Sequence, residues 1–222
     1  MADRTGHPAP GVVSTDPLRR LVTLMAQLRA ECSWTAEQDH ASLAPYAIEE
    51  AYELAEAAES GDREALRDEL GDLLLQVVFH SAVAAEHEAE PFDIDDVALA
   101  LTRKLVRRHP HVFSPDVDEE GQPVELSPED IERAWQRIKE SEAPPTPAAP
   151  DPFADIPAAA PALSRAQKVA RRLRRRGDAP EELLRGPEGL GRDLMALVLR
   201  AEAGGLDVEA ELRGYLRELG GR

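Results

Sequence analysis

A single turn signal, Ser60-Gly61-Asp62, separates two acidic stretches and fixes most of what this 222-residue chain can fold into. Glu50 and Glu53 precede it, and Glu69 and Asp72 follow it. Each pair has the three-residue spacing that sets both carboxylates on one face of a helix. The segment before the turn reads as a helix from about Leu43 to Glu59. The segment after it, with Asp62 as a good N-cap, has no break until Pro91, Gly71 aside. A connection this tight makes the two helices lie side by side and antiparallel. Glu53 is eight residues before Gly61 and Glu69 eight after it, so at ~1.5 Å of rise per residue they stand level across the pair.

The acids have no cationic neighbours on their own helices: three and four residues from Glu50, Glu53, Glu69 and Asp72 there is no Lys, Arg or His. An acidic exposed face is the commoner fate of Glu-rich helices. Here, however, Leu66, Leu70, Leu73, Leu74 and Val77 make the flanking face apolar. Clustered carboxylates without partners repel one another, and a cation is the usual remedy.

The net charge of -17 argues against bulk affinity for nucleic acid or an anionic membrane, though not against a local basic site. Hydrophobic residues at 42% and charged residues at 31% suit a soluble globular chain, and 4% aromatics lean it towards helix. Cys32 is the single cysteine and cannot form an intrachain disulfide. The first twenty residues hold no signal-peptide core, and Leu73 to Phe79 is too short to span a bilayer, so the expectation is a cytoplasmic protein without membrane attachment.

Residues 1–15 read as a flexible leader and a first helix as running from about Asp16 to Arg29, with an apolar stripe of Leu18, Leu21, Val22, Met25 and Leu28. The stretch from Glu31 to His40, which contains Trp34, has no clear period. It reads equally as plain connection and as a place for a nucleobase to stack. A fourth helix, from about Asp93 to His109, ends on Lys104, Arg107 and Arg108, which share one side. Charge favourable to a helix C-terminus explains any one of them; the three together suit phosphate oxygens near a bound metal. Ser127-Pro128-Glu129-Asp130 opens a further helix carrying Trp135 and Lys139 on one face.

Residues 143–162 are rich in Pro and Ala and read as a semi-rigid linker. Beyond it the balance changes sign: 163–222 holds 13 bases and 10 acids, whereas 1–162 holds 13 bases and 33 acids. The run Arg171-Arg172-Leu173-Arg174-Arg175-Arg176 lacks an aromatic set and reads as a helix face rather than a nucleic-acid site.

Glu49-Glu50-x-x-Glu53, fifteen intervening residues, then Glu69-x-x-Asp72 resembles the MazG family of all-α nucleoside triphosphate pyrophosphohydrolases. The likeness extends to Pro45 through Leu54, Glu69 through Leu74, Lys104 through Phe113, and Trp135 through Lys139, covering about 16–142. It implies a four- or five-helix bundle with a small C-terminal helical appendage, active as a homodimer or higher assembly. It further implies Mg²⁺, with Mn²⁺ as a substitute, held by Glu50, Glu53, Glu69 and Asp72. Glu49 would complete a second ion site or orient the water. Lys104, Arg107 and Arg108 match the triphosphate-gripping segment, Arg67 a substrate contact, and Trp135 and Trp34 positions near the nucleotide.

The implied reaction is water attack at the α-phosphorus, yielding nucleoside monophosphate and pyrophosphate. Two departures stand out. Cys32-Ser33-Trp34-Thr35 replaces the family's usual Cys-Pro-Trp-Asp. Residues 163–222 open like a second copy of the bundle but contain no second Glu-Glu-x-x-Glu, and Leu190 stands where a Glu would pair with Asp193. That region is expected to be a degenerate, metal-free repeat with a structural or dimerising role. Two rivals remain. A di-iron carboxylate bundle needs two Glu-x-x-His motifs, of which Glu37-x-x-His40 is the only one. A non-catalytic helical protein would bind partners or nucleic acid through 165–176.

Overall fold

The structure, a computed structural model, describes residues 16–118, 122, 124–142, 151–154 and 156–220. The expected leader and residues 143–150 of the expected linker lie outside the described residues. The regular elements described are all helical, and the chain divides into two compact units, Met1–Ala143 and Pro144–Arg222.

In the first unit α1 spans Pro17–Glu31 and α2 Ser33–Glu37. The long pair follows, α3 at His40–Ser60 and α4 at Arg63–Ala85. Then come α5 (Ile94–Arg108), α6 (Pro110–Phe113) and α7 (Pro128–Ser141). The starts are written in caps. The Asp16 side chain accepts a hydrogen bond from Leu18 N–H at 3.0 Å, and that of Asp62 accepts from Glu64 and Ala65 N–H at 2.9 and 3.2 Å. Gly61 ends α3 at φ 76°, a left-handed turn that a Cβ would strain.

α3 begins three residues earlier than the apolar pattern suggests. Asp39 and Ser42 form a reciprocal cap, with Ser42 N–H donating to Asp39 at 2.8 Å and Asp39 N–H donating to the Ser42 hydroxyl at 3.0 Å. Pro45 therefore falls inside the helix, where it withholds one N–H from the ladder.

Met25, Leu43, Val78 and Phe79 are the buried centre of this unit, flanked by Leu21, Val22, Leu74, Leu75 and Ile94. Each fully buried side chain of this size contributes about 1.5–3 kcal/mol. The stretch after α1, read as irregular, contains the one-turn helix α2. Arg29 pins it from beneath, its Nη1 donating to the carbonyls of Thr35 and, at 2.9 Å, of Gln38, while its Nε donates to Glu86 at 2.8 Å.

In the second unit α8 spans Ala162–Arg176, a 3₁₀ segment Pro180–Arg185, α9 Leu190–Ala203 and α10 Val208–Gly220. Its core is Ile156, Val169 and Leu173 with Leu183 against them. Residues 151–154 and 156–162 pack into this unit: Ile156 is buried, and Arg172 donates to the Pro152 carbonyl at 3.0 Å. The basic run is used here too, Arg174 meeting Glu202 at 2.7 Å.

Candidate metal and nucleotide site

The tight turn at Gly61 folds α4 back along α3, and the acids meet. Glu50 lies eleven residues before Gly61 and Asp72 eleven after it, so this pair too stands level. Glu50, Glu69 and Asp72 each offer a carboxylate oxygen within 4.8 Å of the other two. It is the one such grouping of three or more His, Cys, Asp or Glu among the described residues. Glu53 joins through Glu69, which it approaches within hydrogen-bonding reach, and Glu49 adds its charge beside Glu50.

The cluster is electrostatically unbalanced. Among the described residues no Lys, Arg or His forms an ion pair with any of the five acids. Burial, then the Asp72 and Glu53 charges, pushes the Glu50 carboxyl above its ordinary range; burial, then Glu53 and Asp72, does the same to Glu69. Glu69 Oε2 is buried and accepts no hydrogen bond. The two observations on Glu69 agree once protons are considered, because two ionised carboxylates within reach of each other have none to share. An all-oxygen set with a stranded anionic atom fits a hard divalent cation.

The basic residues make contacts of their own. Arg107 Nε and Arg108 Nη2 each reach Glu142 at 2.6 Å, and Arg108 and Lys139 lie over the Trp135 ring at 5.2 and 5.3 Å. Lys104 is exposed on the same helix. Arg67 pairs with Asp68 at 2.9 Å and with Glu64 at 3.6 Å. Trp34 is 53% exposed and packs edge-on against Tyr46 and Phe79, each with ring centres 6.4 Å away.

A feature with no signal in the spacing lies two to three turns further along the same helix pair. His40 and His80 approach Nδ1 to Nδ1 at 2.8 Å, with rings parallel within 4° and centres 5.1 Å apart. Such a close nitrogen approach with such separated ring centres is an edge-to-edge hydrogen bond rather than a face-to-face stack. His40 is thereby committed to His80, and no described histidine joins the carboxylates, as a di-iron centre would need. The forty-residue separation of the two histidines left no local signal.

An antiparallel helix pair that gathers carboxylates from both members, inside an all-α bundle, is an arrangement whose chemistry fits a divalent cation. Residues 38–113, which span that pair and α5, match the family described as the MazG nucleotide pyrophosphohydrolase domain. The chain belongs to this family. It is 44% identical over 195 residues to an uncharacterized 26.1 kDa protein of Streptomyces cacaoi, covering 87% of this chain and 75% of the relative. It is 40% identical to a nucleoside triphosphate pyrophosphohydrolase of Mycolicibacterium smegmatis, covering 80% of this chain and 51% of the relative. It is 43% identical to the Escherichia coli K12 protein of the same name, covering 69% and 56%. The chain thus spans about half the length of these two pyrophosphohydrolases.

Proposed function

We propose that this protein hydrolyses nucleoside triphosphates to nucleoside monophosphate and pyrophosphate, with Mg²⁺, or Mn²⁺ in its place, held by Glu50, Glu53, Glu69 and Asp72. The observation that carries the reading is the convergence of Glu50, Glu69 and Asp72 oxygens within 4.8 Å around an unsatisfied Glu69 Oε2. When bound, the cation offsets charge on the phosphates and acidifies a water. Glu69, half-buried with one oxygen out of solvent, and Glu50, level with Asp72, hold their carboxylates toward the shared point. Glu49, beside Glu50 and exposed, orients the attacking water. Attack at the α-phosphorus breaks its bond to the bridging oxygen, and pyrophosphate leaves.

Arg107 and Arg108 share one carboxylate, so each guanidinium keeps donors for phosphate oxygens, with Lys104 and Arg67 adding charge and Trp135 and Trp34 bordering the nucleotide. Assembly as a homodimer or higher is supported by α5, which has no buried residue and exposes Leu99, Leu101, Leu105 and Val106. Residues 163–222 act as a degenerate repeat: Leu190 is 73% exposed beside Asp193, and the metal-type cluster lies elsewhere. Among the described residues no helix is long and apolar enough to cross a membrane.

The test is pyrophosphate release from a panel of canonical and altered nucleoside triphosphates with Mg²⁺ or Mn²⁺. The expected products are monophosphate and pyrophosphate in equal amounts. Stepwise release of orthophosphate, or undiminished release by Asp72→Ala, refutes the reading.

A further inference from the structure

The second unit lacks a helix that the first one has. With Asp193 set against Asp72, Leu190, Leu194 and Leu197 of α9 fall where Glu69, Leu73 and Gln76 stand on α4. In the first unit α3 runs along that face of α4 and brings Glu53 to Glu69. In the second unit α8 leads through the 3₁₀ segment Pro180–Arg185 into α9, and among the described residues no counterpart of α3 stands between them. α9 is consequently apolar on two sides. Val198 and Leu199 face inward and are buried, whereas Leu190, Leu194 and Leu197 are 73, 44 and 51% exposed. The exposed three recur at spacings of four and three residues, and Ala201 continues the row after four more, which is the seam of a helix that packs along another helix.

Charge says which helix. In the heptad frame of this seam the flanking positions on its solvent side are Asp193 and Arg200, both exposed and seven residues apart. The other charges of α9 are taken within the unit or its own turn: Glu202 meets Arg174 at 2.7 Å and Arg192 meets Glu188 at 3.5 Å. Among the described residues neither Asp193 nor Arg200 forms an ion pair. Two turns of helix, roughly 10 Å, keep them from each other. An antiparallel copy of α9 satisfies both. Setting Leu194 against Leu197 of the copy brings Asp193 beside Arg200 of the copy and, by the two-fold, Arg200 beside its Asp193. A parallel copy leaves both charges unpaired. The comparable exposed row on α10, Leu212, Leu216 and Leu219, has Tyr215 at the place of the acid and carries no such instruction.

We propose that α9 is an interface between two copies of this chain, antiparallel about a two-fold axis, in which each copy supplies the helix that the other's second unit lacks. The contact uses neither the carboxylate cluster nor α5, so it goes beyond the pyrophosphohydrolase reading and does not rest on it. Leu190, Leu194, Leu197 and Ala201 form its dry centre, and the two Asp193 to Arg200 pairs fix its direction and register.

The test is a charge exchange on the full chain. Molar mass is followed by light scattering over a dilution series for the wild type, Asp193→Arg, Arg200→Asp, the double variant carrying both, and an equimolar mixture of the two single variants. Each single variant sets like charges together at both symmetry-related contacts, and should raise the concentration of half-dissociation about tenfold. The double variant and the mixture restore opposite charges, and should return that concentration to within about threefold of wild type. Leu194→Glu puts a charge in the seam and should abolish the association. All three positions are exposed, so circular dichroism and Tm should show every variant folded as wild type. Any association through α5 is common to all samples and drops out of the comparison. Samples that all dissociate alike overturn the proposal, and so do single variants that dissociate more readily with no recovery in their mixture. Hydrolysis is not read, so a failure here leaves the catalytic reading intact, and a protein that releases no pyrophosphate leaves this interface standing.

Discussion

Glu69 and Glu53 lie within hydrogen-bonding reach across the groove between α3 and α4, yet Glu69 keeps a buried oxygen that no donor satisfies. The fold therefore holds repulsion that a proton or a cation relieves.

The proton makes the first prediction. Glu50 and Glu69 have folded-state pKa values above their ordinary 4.5. Between the ordinary and the raised values the folded chain holds more protons than the unfolded one, so these groups stabilise the fold as pH falls through that window and weaken it as pH rises. His80 shifts the opposite way, lowered by burial and then by His40. The measurement is accordingly a difference: Tm of metal-free wild type minus Tm of Glu69→Gln, followed from pH 7.5 to 4.5. The difference should grow more favourable to wild type as pH falls; a flat difference refutes the argument.

The cation makes the second. At neutral pH, Mg²⁺ should raise Tm of the wild type, by an amount equivalent to about 2.7 kcal/mol at a hundred times Kd. Asp72→Asn and Glu50→Gln should lose both that shift and at least about a hundredfold of pyrophosphate release, because each removes a charge from the proposed ligand set. Differential scanning fluorimetry with and without Mg²⁺ reads the first loss, and a coupled pyrophosphate assay the second. A variant retaining the Tm shift shows that the ion sits elsewhere.

What could be read in the chain and what could not divides by sequence distance. Gly61, the two acid pairs and the caps are local, so the antiparallel pair and its carboxylates were legible from spacing alone. The start of α3 lies three residues before its apolar pattern, which begins only at Leu43, because the Asp39 and Ser42 cap sets it and Pro45 is accommodated inside the helix. The α2 turn has no periodicity of its own; it is made by Arg29 reaching from α1 and by Glu86 holding that arginine, residues 57 apart. The same holds for His40 with His80, and for Glu142, which gathers two arginines 34 and 35 residues away. Composition marked 143–162 as linker, yet Ile156 is core, since two large apolar residues, Phe153 and Ile156, in a Pro/Ala run give no period to follow.

Arg29 accordingly carries a third prediction. Its side chain is 9% exposed and serves two backbone carbonyls and a carboxylate. Arg29→Ala leaves buried acceptors unsatisfied and should cost about 2–4 kcal/mol. Arg29→Lys should recover little, since one ammonium cannot span the fork that reaches Thr35, Gln38 and Glu86 together. Urea unfolding at pH 7 measures both; a lysine variant as stable as wild type contradicts the fork argument.

Glu142 supplies the last. Hydrogen bonds from Arg108 and then Arg107 pull its carboxyl from 4.5 down to about 2. For a depressed carboxyl the stabilisation is fully present above the unfolded value and lost as pH falls through the folded one, so it disappears between about 4.5 and 2. Glu142→Gln should flatten the acid limb of the stability profile in that window while leaving the region above pH 5 with the slope of wild type. Kinetics separates this structural role from the phosphate grip. Arg108→Ala removes both the Glu142 partner and the proposed phosphate donor, and should raise KM for triphosphate about tenfold. Glu142→Gln keeps both guanidiniums and should raise KM by less, through looser orientation over Trp135. If Glu142→Gln instead lowers KM, then Glu142 competes with substrate for Arg107 and Arg108, and the ion pairs are a resting state that the triphosphate displaces.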